Sequence, residues 1–304
     1  MADSRHIETL RRLLATERGL IMPGAPNALA ARVIADLGFK AIYLTGAGLT
    51  NMSLGLPDLG FMDLSQLIEH TMAIRENTAL PLIVDADTGF GNALNVAHTV
   101  KRLERAGASA IQLEDQSMPK RCGHFEGKEL ISRAEMAGKI KAAVDARSEG
   151  LLVVARTDAR ATEGFDAAID RASAYIEAGA DITFVEAPQT LDEIRAIPKR
   201  LGVPQIINMV IGGKTPILDQ PTAAQMGFGL VLYANAALQG AITGMQAALR
   251  ALRDTGTLDE SSGVTATFAE RQRLVGKPEF DAMERRYAAD ASTDTPRVAG
   301  RGAR

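Results

Sequence analysis

Short apolar runs alternate with amphipathic helical segments along most of this chain. The runs are aliphatic or β-branched and nearly continuous, as expected for parallel strands that are buried on both faces. They predict eight strands, at residues 19–22, 41–44, 82–84, 110–113, 151–155, 182–185, 205–207 and 229–233. A helical repeat of apolar positions follows most of these runs. It predicts helices at residues 27–37, 63–76, 93–106, 133–146, 165–178, 191–199 and 236–253.

A weak internal repeat connects these elements. In four places a glycine ends a helix and a strand follows, in the segments LGFKAIYLT, AGASAIQLE, AGADITFVE and MGFGLVLYA. The left-handed position after a helix favours glycine, and the glycines concerned are Gly38, Gly107, Gly179 and Gly227. Seven residues after them stand, in order, Thr45, Glu114, Glu186 and Ala234. Equal offsets predict equal positions, at the carboxyl ends of the strands.

The alternation predicts an α/β fold, a (β/α)8 TIM-type barrel with an N-terminal helix, over residues 1–255. An open doubly wound sheet is the alternative, and it would have fewer strands and one crevice at its switch point. Residues 256–290 are predicted to form a helical extension, with one helix at 267–289. Because this helix lies beyond the eighth unit, it is a candidate for packing on a neighbouring subunit. Residues 291–304 lack periodicity and are predicted to be a disordered tail.

Composition narrows the class of protein. Of the 304 residues, 46% are hydrophobic and 23% are charged, which is ordinary for a globular protein and excludes wholesale disorder. The net charge of -3 gives no basic surface for nucleic acid. The single cysteine, Cys122, cannot form an intrachain disulfide, so a reducing compartment fits. Charges near the start interrupt any apolar segment of a signal peptide, and a cytoplasmic location is expected.

One uncharged stretch, residues 220–249, needs to be weighed as a membrane span. Gly227, Gly229, Asn235 and Gln239 interrupt it, and its hydrophobicity is modest. A buried strand followed by a buried helix explains this pattern better than a membrane span does. The sequence therefore predicts no membrane association.

Acidic residues stand at several of the predicted strand ends. Acids at the end of an apolar strand are costly unless they bind something, and the set is Asp85, Asp87, Glu114 and Glu186. In a barrel these ends meet at one mouth, where active sites lie. Converging carboxylates offer hard oxygen ligands that suit Mg²⁺. The alternative is that these acids pair with Arg156 or cap helices.

A second signal is the segment Pro-Lys-Arg-Cys-Gly-His at residues 119–124. It places Cys122 beside Lys120, Arg121 and His124, and nearby cations lower the pKa of a thiol and make it reactive. The alternative is an exposed cysteine without a role.

These residues fall within the motifs YLTGAG, SLGLPDLG, DADTGFGN, LEDQ, PKRCGH, ARTDA and NMVIGGKTP, in that order. Over about residues 5–255 the chain resembles the isocitrate lyase / phosphoenolpyruvate mutase superfamily. The resemblance implies a (β/α)8 barrel, a bound Mg²⁺ that Mn²⁺ could replace, and a small 2-oxo or 2-hydroxy carboxylate substrate. It also implies a homotetramer in which C-terminal helices are exchanged between subunits.

The resemblance also assigns roles to individual residues. It implies that Cys122 donates a proton from a loop that closes over the substrate. The other implied catalytic residues are Arg156, Tyr43, His124, Lys120 and Glu186. The implied substrate-binding residues are Thr45, Gly46, Ala47, Asp58, Gly123 and Asn208. The implied metal-binding residues are Asp85, Asp87 and Glu114. The base that removes the substrate hydroxyl proton is left open between Tyr43 and a nearby carboxylate.

Two departures refine the expected activity. Methylisocitrate lyases carry a histidine where Gln112 stands and an arginine near Gln239, and that arginine helps to hold an additional substrate carboxylate. Its absence argues against a tricarboxylate. The run GGKTP at residues 212–216 looks more like lyases of substituted malates, the petal-death-type enzymes and carboxyphosphonoenolpyruvate mutases.

The expected function is therefore a Mg²⁺-dependent carbon–carbon lyase. Its substrate would be a small 2-hydroxy dicarboxylate of the substituted malate or 2-methylisocitrate type, and its products a 2-oxo acid such as pyruvate plus a carboxylate. The alternatives are a carboxyphosphonoenolpyruvate phosphonomutase and an oxaloacetate hydrolase or decarboxylase. A non-catalytic barrel is disfavoured by the complete acid set.

Overall fold

The computed structural model describes residues 4–121, 123, 127–148 and 150–288. Eight parallel strands form a closed barrel in which each strand pairs with the next along the chain, and β8 returns to pair with β1. The strands are β1 Leu20–Ala25, β2 Ile42–Leu44, β3 Leu82–Asp85, β4 Ala110–Glu114, β5 Leu152–Thr157, β6 Ile182–Val185, β7 Gln205–Asn208 and β8 Leu230–Tyr233. The predicted (β/α)8 barrel is confirmed, and the open sheet is excluded.

The helices surround this barrel. They are α1 Arg5–Thr16, α2 Ala28–Asp36, α3 Gly46–Leu54, α4 Leu64–Arg75, α5 Ala93–Arg105, α6 Arg133–Ala146, α7 Ala159–Thr162, α8 Phe165–Glu177, α9 Leu191–Arg200, α10 Gln220–Met226, α11 Ala236–Thr255, α12 Phe268–Leu274 and α13 Lys277–Tyr287. The apolar periodicity does not predict α3, α7 or α10, which are short or lack an apolar stripe. The four repeat glycines have φ angles of 80°, 96°, 105° and 101°, so their predicted left-handed conformation is confirmed.

Alternation along the strands decides which side chains reach the barrel interior. On β2, Tyr43 packs with the interior residues, whereas Ile42 and Leu44 face the helices. On β5, Leu152 and Val154 face inward while Val153 and Ala155 face outward. Since side chains alternate every residue along a strand, the inward series continues at the carboxyl ends. The residues it reaches are Asp85, Glu114, Arg156, Glu186 and Asn208.

The C-terminal part differs from expectation in two ways. The helix after β8 is not buried: Leu238 is its one buried residue, while Ile242, Met245 and Leu249 are exposed. Among the strands and helices, α11 packs chiefly against β1. The single helix predicted at 267–289 is also wrong, because Gly276 has a φ of 74° and separates α12 from α13. The predicted tail at 291–304 lies outside the described residues.

Within the chain, α12 packs on α2 of the same barrel. Arg273 donates to both carboxylate oxygens of Asp36 at 2.7 Å, and Arg32 donates to the carbonyl oxygen of Leu274 at 3.2 Å. Over the part of the chain that the structure describes, no helix has the length and apolar character needed to cross a membrane.

Candidate active site

The carboxyl ends of the strands enclose a cavity of about 200 Å³ at the barrel mouth. Its walls combine strand ends with the two long loops after β2 and β4. The lining residues are Tyr43, Thr45, Ala47, Asp58, Asp85, Glu114, Lys120, Arg121, Gly123, Arg156, Glu186, Asn208, Val210, Leu232, Ala234 and Asn235. Most of the residues predicted for the site are therefore brought together at one mouth.

Two carboxylates at the end of β3 converge on a single point. Asp85 Oδ1 accepts hydrogen bonds from Gln112 Nε2 and from the Asp87 backbone N–H, both at 3.2 Å. A β-carbon placed on Gly46 would lie 3.3 Å from Asp85 Oδ2 and 3.3 Å from Asp87 Oδ1. Asp87 adopts a φ of 49°, an uncommon conformation for a residue other than glycine and one often found at functional sites. The glycine at 46 thus leaves open a space that both carboxylates face.

Lys120 supplies a buried positive charge beside these acids. Its Nζ lies 2.5 Å from Asp58 Oδ1 and 2.7 Å from Asp87 Oδ1. Burial raises the pKa of Asp87 to about 6 although Lys120 opposes the rise. Burial alone would lower the pKa of Lys120, but the carboxylates around it outweigh this and raise it. Lys120 is therefore charged at neutral pH and holds together the loops after β2 and β3.

Arg156, at the end of β5, connects three carboxylates of the mouth. Its Nε lies 2.9 Å from Asp158 Oδ2 and 3.4 Å from Glu114 Oε2, and its Nη2 lies 3.2 Å from Glu186 Oε2. Burial raises the pKa of the Glu114 carboxyl, and Arg156 only partly offsets this. The guanidinium itself keeps a raised pKa because Asp158 and its other acidic neighbours outweigh its burial. A fixed cation thus lies at the mouth.

Tyr43 lies on the floor of the cavity, 2% exposed. Burial, and then the charge of Asp85, raise its pKa well above that of an ordinary phenol. The phenol therefore keeps its proton at neutral pH. The choice of base stays open between Tyr43 and a nearby carboxylate.

The start of α3 forms part of the wall. Thr45 caps this helix by accepting a hydrogen bond from the Gly48 N–H at 3.2 Å, and its hydroxyl lies 3.4 Å from Asn235 Oδ1. The first N–H groups of a helix have no intrahelical partner and attract anions. The backbone at Gly46 and Ala47 is therefore suited to a substrate carboxylate.

Gly123, in the loop after β4, lies against Arg156. A bridge between Gln116 and Leu130 closes the base of the loop. A β-carbon added to Gly123 would lie 2.3 Å from Arg156 Nη2 and 2.7 Å from Glu186 Cγ, so a larger residue there would displace one of these two side chains. Cys122 and His124, predicted in this loop, lie outside the described residues.

Sequence reasoning overlooked several residues of the site. Asp158 belongs to the quoted motif ARTDA but was assigned no role, and it orients Arg156 through two hydrogen bonds. Val210 and Asn235 line the cavity from the loops after β7 and β8. Val210 belongs to the quoted motif NMVIGGKTP but has no assigned role, and Asn235 lies in none of the quoted motifs. Gln239 does not line the main cavity: it is exposed and borders a smaller neighbouring cavity that Val210 and Asn235 share.

Residues 10–253 match the family model described as phosphoenolpyruvate phosphomutase. The chain belongs to this family. A 2,3-dimethylmalate lyase from Eubacterium barkeri is 42% identical over 280 residues, covering 92% of this chain and 97% of that protein. A 2-methylisocitrate lyase from Aeropyrum pernix is 42% identical over 275 residues, covering 90% and 89% respectively.

Solved structures of the superfamily have the same fold. An oxaloacetate acetylhydrolase bound to 3,3-difluorooxalacetate has a TM-score of 0.88 at 32% identity, covering 95% of this chain and 99% of that one. A phosphonopyruvate hydrolase in complex with oxalate and Mg²⁺ has a TM-score of 0.83 at 34% identity, covering 93% and 99%. The predicted superfamily and the predicted enzyme of the lyase and mutase type are confirmed. The relatives' names agree with the expected lyase and with its alternatives, and they favour none of the alternatives.

The residues at this mouth fit a magnesium ion. Asp85 and Asp87 direct oxygens at the same open point, and Glu114 Oε1 is buried without a hydrogen-bond partner among the described residues. Mg²⁺ typically takes one or two protein carboxylates and keeps several waters. No ready-made group of three ligands occurs within the described residues. The three-carboxylate metal site therefore stays a prediction, whereas a two-carboxylate site agrees with the geometry.

Proposed function

We propose that this enzyme cleaves a carbon–carbon bond of a small 2-hydroxy dicarboxylate such as a branched malate. The products would be a 2-oxo acid of the pyruvate type and a carboxylate. The observation that carries this proposal is the approach of Asp85 and Asp87 to one open space at the end of β3, with Arg156 at the nearby end of β5. The similarity to 2,3-dimethylmalate lyase supports the substrate class.

Asp85 and Asp87 would hold Mg²⁺, with Glu114 nearby. Bound there, the ion would stabilise negative charge on the oxygens of the 2-oxo acid as it forms. Lys120 holds Asp58 and Asp87 in place by its two short contacts.

The chain's own groups account for binding and charge stabilisation. Thr45 and the N–H groups of Gly46 and Ala47 would bind one substrate carboxylate. Arg156 would stabilise the charge that develops on the departing fragment, because a fixed and buried cation acts more strongly than one in water. Glu186 holds Arg156 from one side, and Asn208 offers a buried amide oxygen within the same mouth.

Proton transfer completes the proposal. A carboxylate of the mouth or Tyr43 would accept the hydroxyl proton. Cys122 would then donate a proton to the carbanion of the departing fragment, with His124 beside it in sequence.

The test is a panel of acids incubated with the enzyme and Mg²⁺. Pyruvate release is measured by a coupled dehydrogenase, and oxalate release is measured in parallel because hydrolysis of oxaloacetate yields oxalate and acetate. The panel contains 2,3-dimethylmalate, 2-methylisocitrate and oxaloacetate. We expect the highest kcat/KM with the branched malate. Cleavage of oxaloacetate alone, or of none of the three, would contradict the proposal.

We also propose that the enzyme is a cytoplasmic homotetramer whose C-terminal helices are exchanged between subunits. The exposed apolar residues of α11, together with the exposed Leu29 and Leu37 of a groove between α2 and α11, support a covered surface. Light scattering should give four times the mass of one chain. A monomer would contradict the proposed assembly.

A further inference from the structure

A buried lysine joins the loop after β4 to the end of β5. The side chain of Lys128 is 2% exposed. Its Nζ donates to the carbonyl oxygen of Gly123 at 2.5 Å and to Asp158 Oδ1 at 2.8 Å. A buried ammonium is costly unless it is paired and hydrogen-bonded. Both contacts are therefore needed to keep Lys128 where it lies.

The carboxylate that Lys128 contacts also holds Arg156. Asp158 Oδ1 accepts from Lys128 Nζ and, at 3.2 Å, from Arg156 Nη2, while Asp158 Oδ2 accepts from Arg156 Nε at 2.9 Å. The Asp158 backbone is fixed as well, since its N–H donates to Asp115 Oδ1 at 2.9 Å. Lys128 thus helps to orient Arg156, because both side chains donate to the Asp158 carboxylate.

The other contact of Lys128 is to the residue that packs on Arg156. The space between Gly123 and Arg156 has no room for a β-carbon. By donating a hydrogen bond to the Gly123 carbonyl oxygen, Lys128 therefore controls how closely Gly123 approaches the Arg156 guanidinium. Lys128 fixes both members of this contact, the loop backbone on one side and the partner of the guanidinium on the other.

Gln116 offers an internal comparison. Its side-chain amide donates to the Arg121 carbonyl oxygen at 2.8 Å and accepts from the Arg121 N–H at 2.9 Å. These two bonds hold the loop before residue 122, whereas Lys128 holds it after residue 122. The hydrogen bonds of Gln116 go only to Arg121, whereas Lys128 also bonds Asp158.

We propose that Lys128 is a positioning residue: it holds Gly123 against Arg156 and orients Arg156 through Asp158. Its effect on turnover rests on the proposed lyase function, but its effect on the loop does not. Lys128 does not line the substrate cavity. Its loss should therefore slow the chemical step more than it weakens substrate binding.

The test compares Lys128→Met with Lys128→Arg and with Lys141→Met, a matched change at an exposed position on α6. We expect Lys128→Met to lower kcat roughly 100-fold, the scale of a misplaced catalytic group. KM should change less than about threefold, as expected when ground-state contacts are kept. Lys128→Arg should recover most of the kcat because it keeps the charge and the donors. Lys141→Met should match the wild type.

Amide hydrogen exchange on the free enzyme provides a readout that does not depend on turnover. In Lys128→Met, peptides covering residues 115–131 should exchange at least about tenfold faster, while those of α6 stay unchanged. If Lys128→Met does not fold, Lys128→Gln replaces it, and we expect the same loss of kcat and the same faster exchange over residues 115–131. Wild-type exchange in the loop, or wild-type kcat in a folded variant, would overturn the proposal. A wild type that cleaves no acid, combined with faster exchange in the variant, would refute the proposed function but not the role of Lys128 in holding Gly123.

Discussion

The two halves of the barrel mouth differ in chemistry. The half formed by the ends of β2 to β6 and their loops supplies every charged side chain that lines the cavity among the described residues: Asp58, Asp85, Glu114, Lys120, Arg121, Arg156 and Glu186. The half formed by β7 and β8 supplies only neutral groups within that same lining: Asn208, Val210, Leu232, Ala234 and Asn235. One small cavity thus combines a charged wall and a largely apolar wall.

This difference in charge suggests that the two halves of the mouth have different roles, one in the reaction and one in substrate selection. On the charged half buried groups of opposite charge are paired, as Lys120 is with Asp58 and Asp87, so removing one of them leaves a buried charge without its partner. On the neutral half a side chain can change without breaking such a pair. We infer that the charged half carries the reaction and that the β7–β8 half selects the substituents of the substrate.

The largest expected effect comes from the charged half. Removing divalent metal with a chelator should lower activity at least about 10³-fold, because several kcal/mol of charge stabilisation would be lost. Adding Mg²⁺ or Mn²⁺ should restore it. Asp85→Asn should reproduce the loss, whereas Asp145→Asn, at an exposed position of α6, should not. Full activity of the chelated enzyme would remove the metal from the mechanism.

The next effect concerns the loop that covers the charged half. Cys122→Ser should lower kcat roughly 10²-fold or more if the thiol donates a proton. Because the chain has one cysteine, alkylation of the wild type should reproduce this loss, and alkylation of the serine variant should do nothing. Near-normal turnover of Cys122→Ser would make the thiol an ordinary loop residue.

A smaller effect is expected on the neutral half. The wild type should prefer 2,3-dimethylmalate to 2-methylisocitrate, since an amide cannot make the bidentate, charge-assisted pair of an arginine with a further carboxylate. Gln239→Arg should shift the kcat/KM ratio towards methylisocitrate by roughly ten- to a hundred-fold. Gln225→Arg, an equal charge on the exposed face of α10, serves as the control. A wild type that prefers methylisocitrate would point to exposed Lys214 as the compensating cation.

The smallest effect concerns stability and pH. Burial would raise the pKa of Asp158, but Arg156 and Lys128 outweigh it and hold that pKa at about 2. A pKa lowered in the folded state adds stability above the unfolded-state pKa of roughly 4, and this is lost as the pH falls towards 2. Asp158→Asn should therefore lose roughly 2 kcal/mol of unfolding free energy relative to wild type at pH 6, and less at pH 3. Urea titrations at both pH values measure this. A pH-independent difference would contradict the assignment.

Much of the barrel follows from sequence because its signals are local. The strand Ile182–Val185 and the helix Arg133–Ala146 have the predicted bounds, since a continuous aliphatic run and a capped amphipathic segment need no tertiary context. By contrast, α3 begins at Gly46 and carries no apolar stripe. Its helical form depends on the barrel mouth around it.

The residues of the site also fall into those that local sequence predicts and those that depend on contacts between distant parts of the chain. The position of Asp85, Glu114 and Glu186 at the predicted strand ends predicts that they meet at one mouth, and all three line the cavity. The contact between Lys120 and Asp58 joins residues 62 positions apart, and no spacing rule indicates it. Lys128 was missed for a similar reason, because its two partners become neighbours only when the loop folds back.

The inward and outward alternation of the strands also limits how such a barrel can vary through insertions and deletions. Deleting one residue within β5 would turn Arg156 towards the helix layer and bring its neighbour Thr157 into the mouth, exchanging a cation for a hydroxyl. The same deletion in the exposed turn around Gly55 would shift no side chain from one face of a strand to the other. Insertions and deletions that survive selection should therefore occur in the loops and not in the strands. The loops around this mouth can then vary in length while the side chains at the strand ends keep their positions.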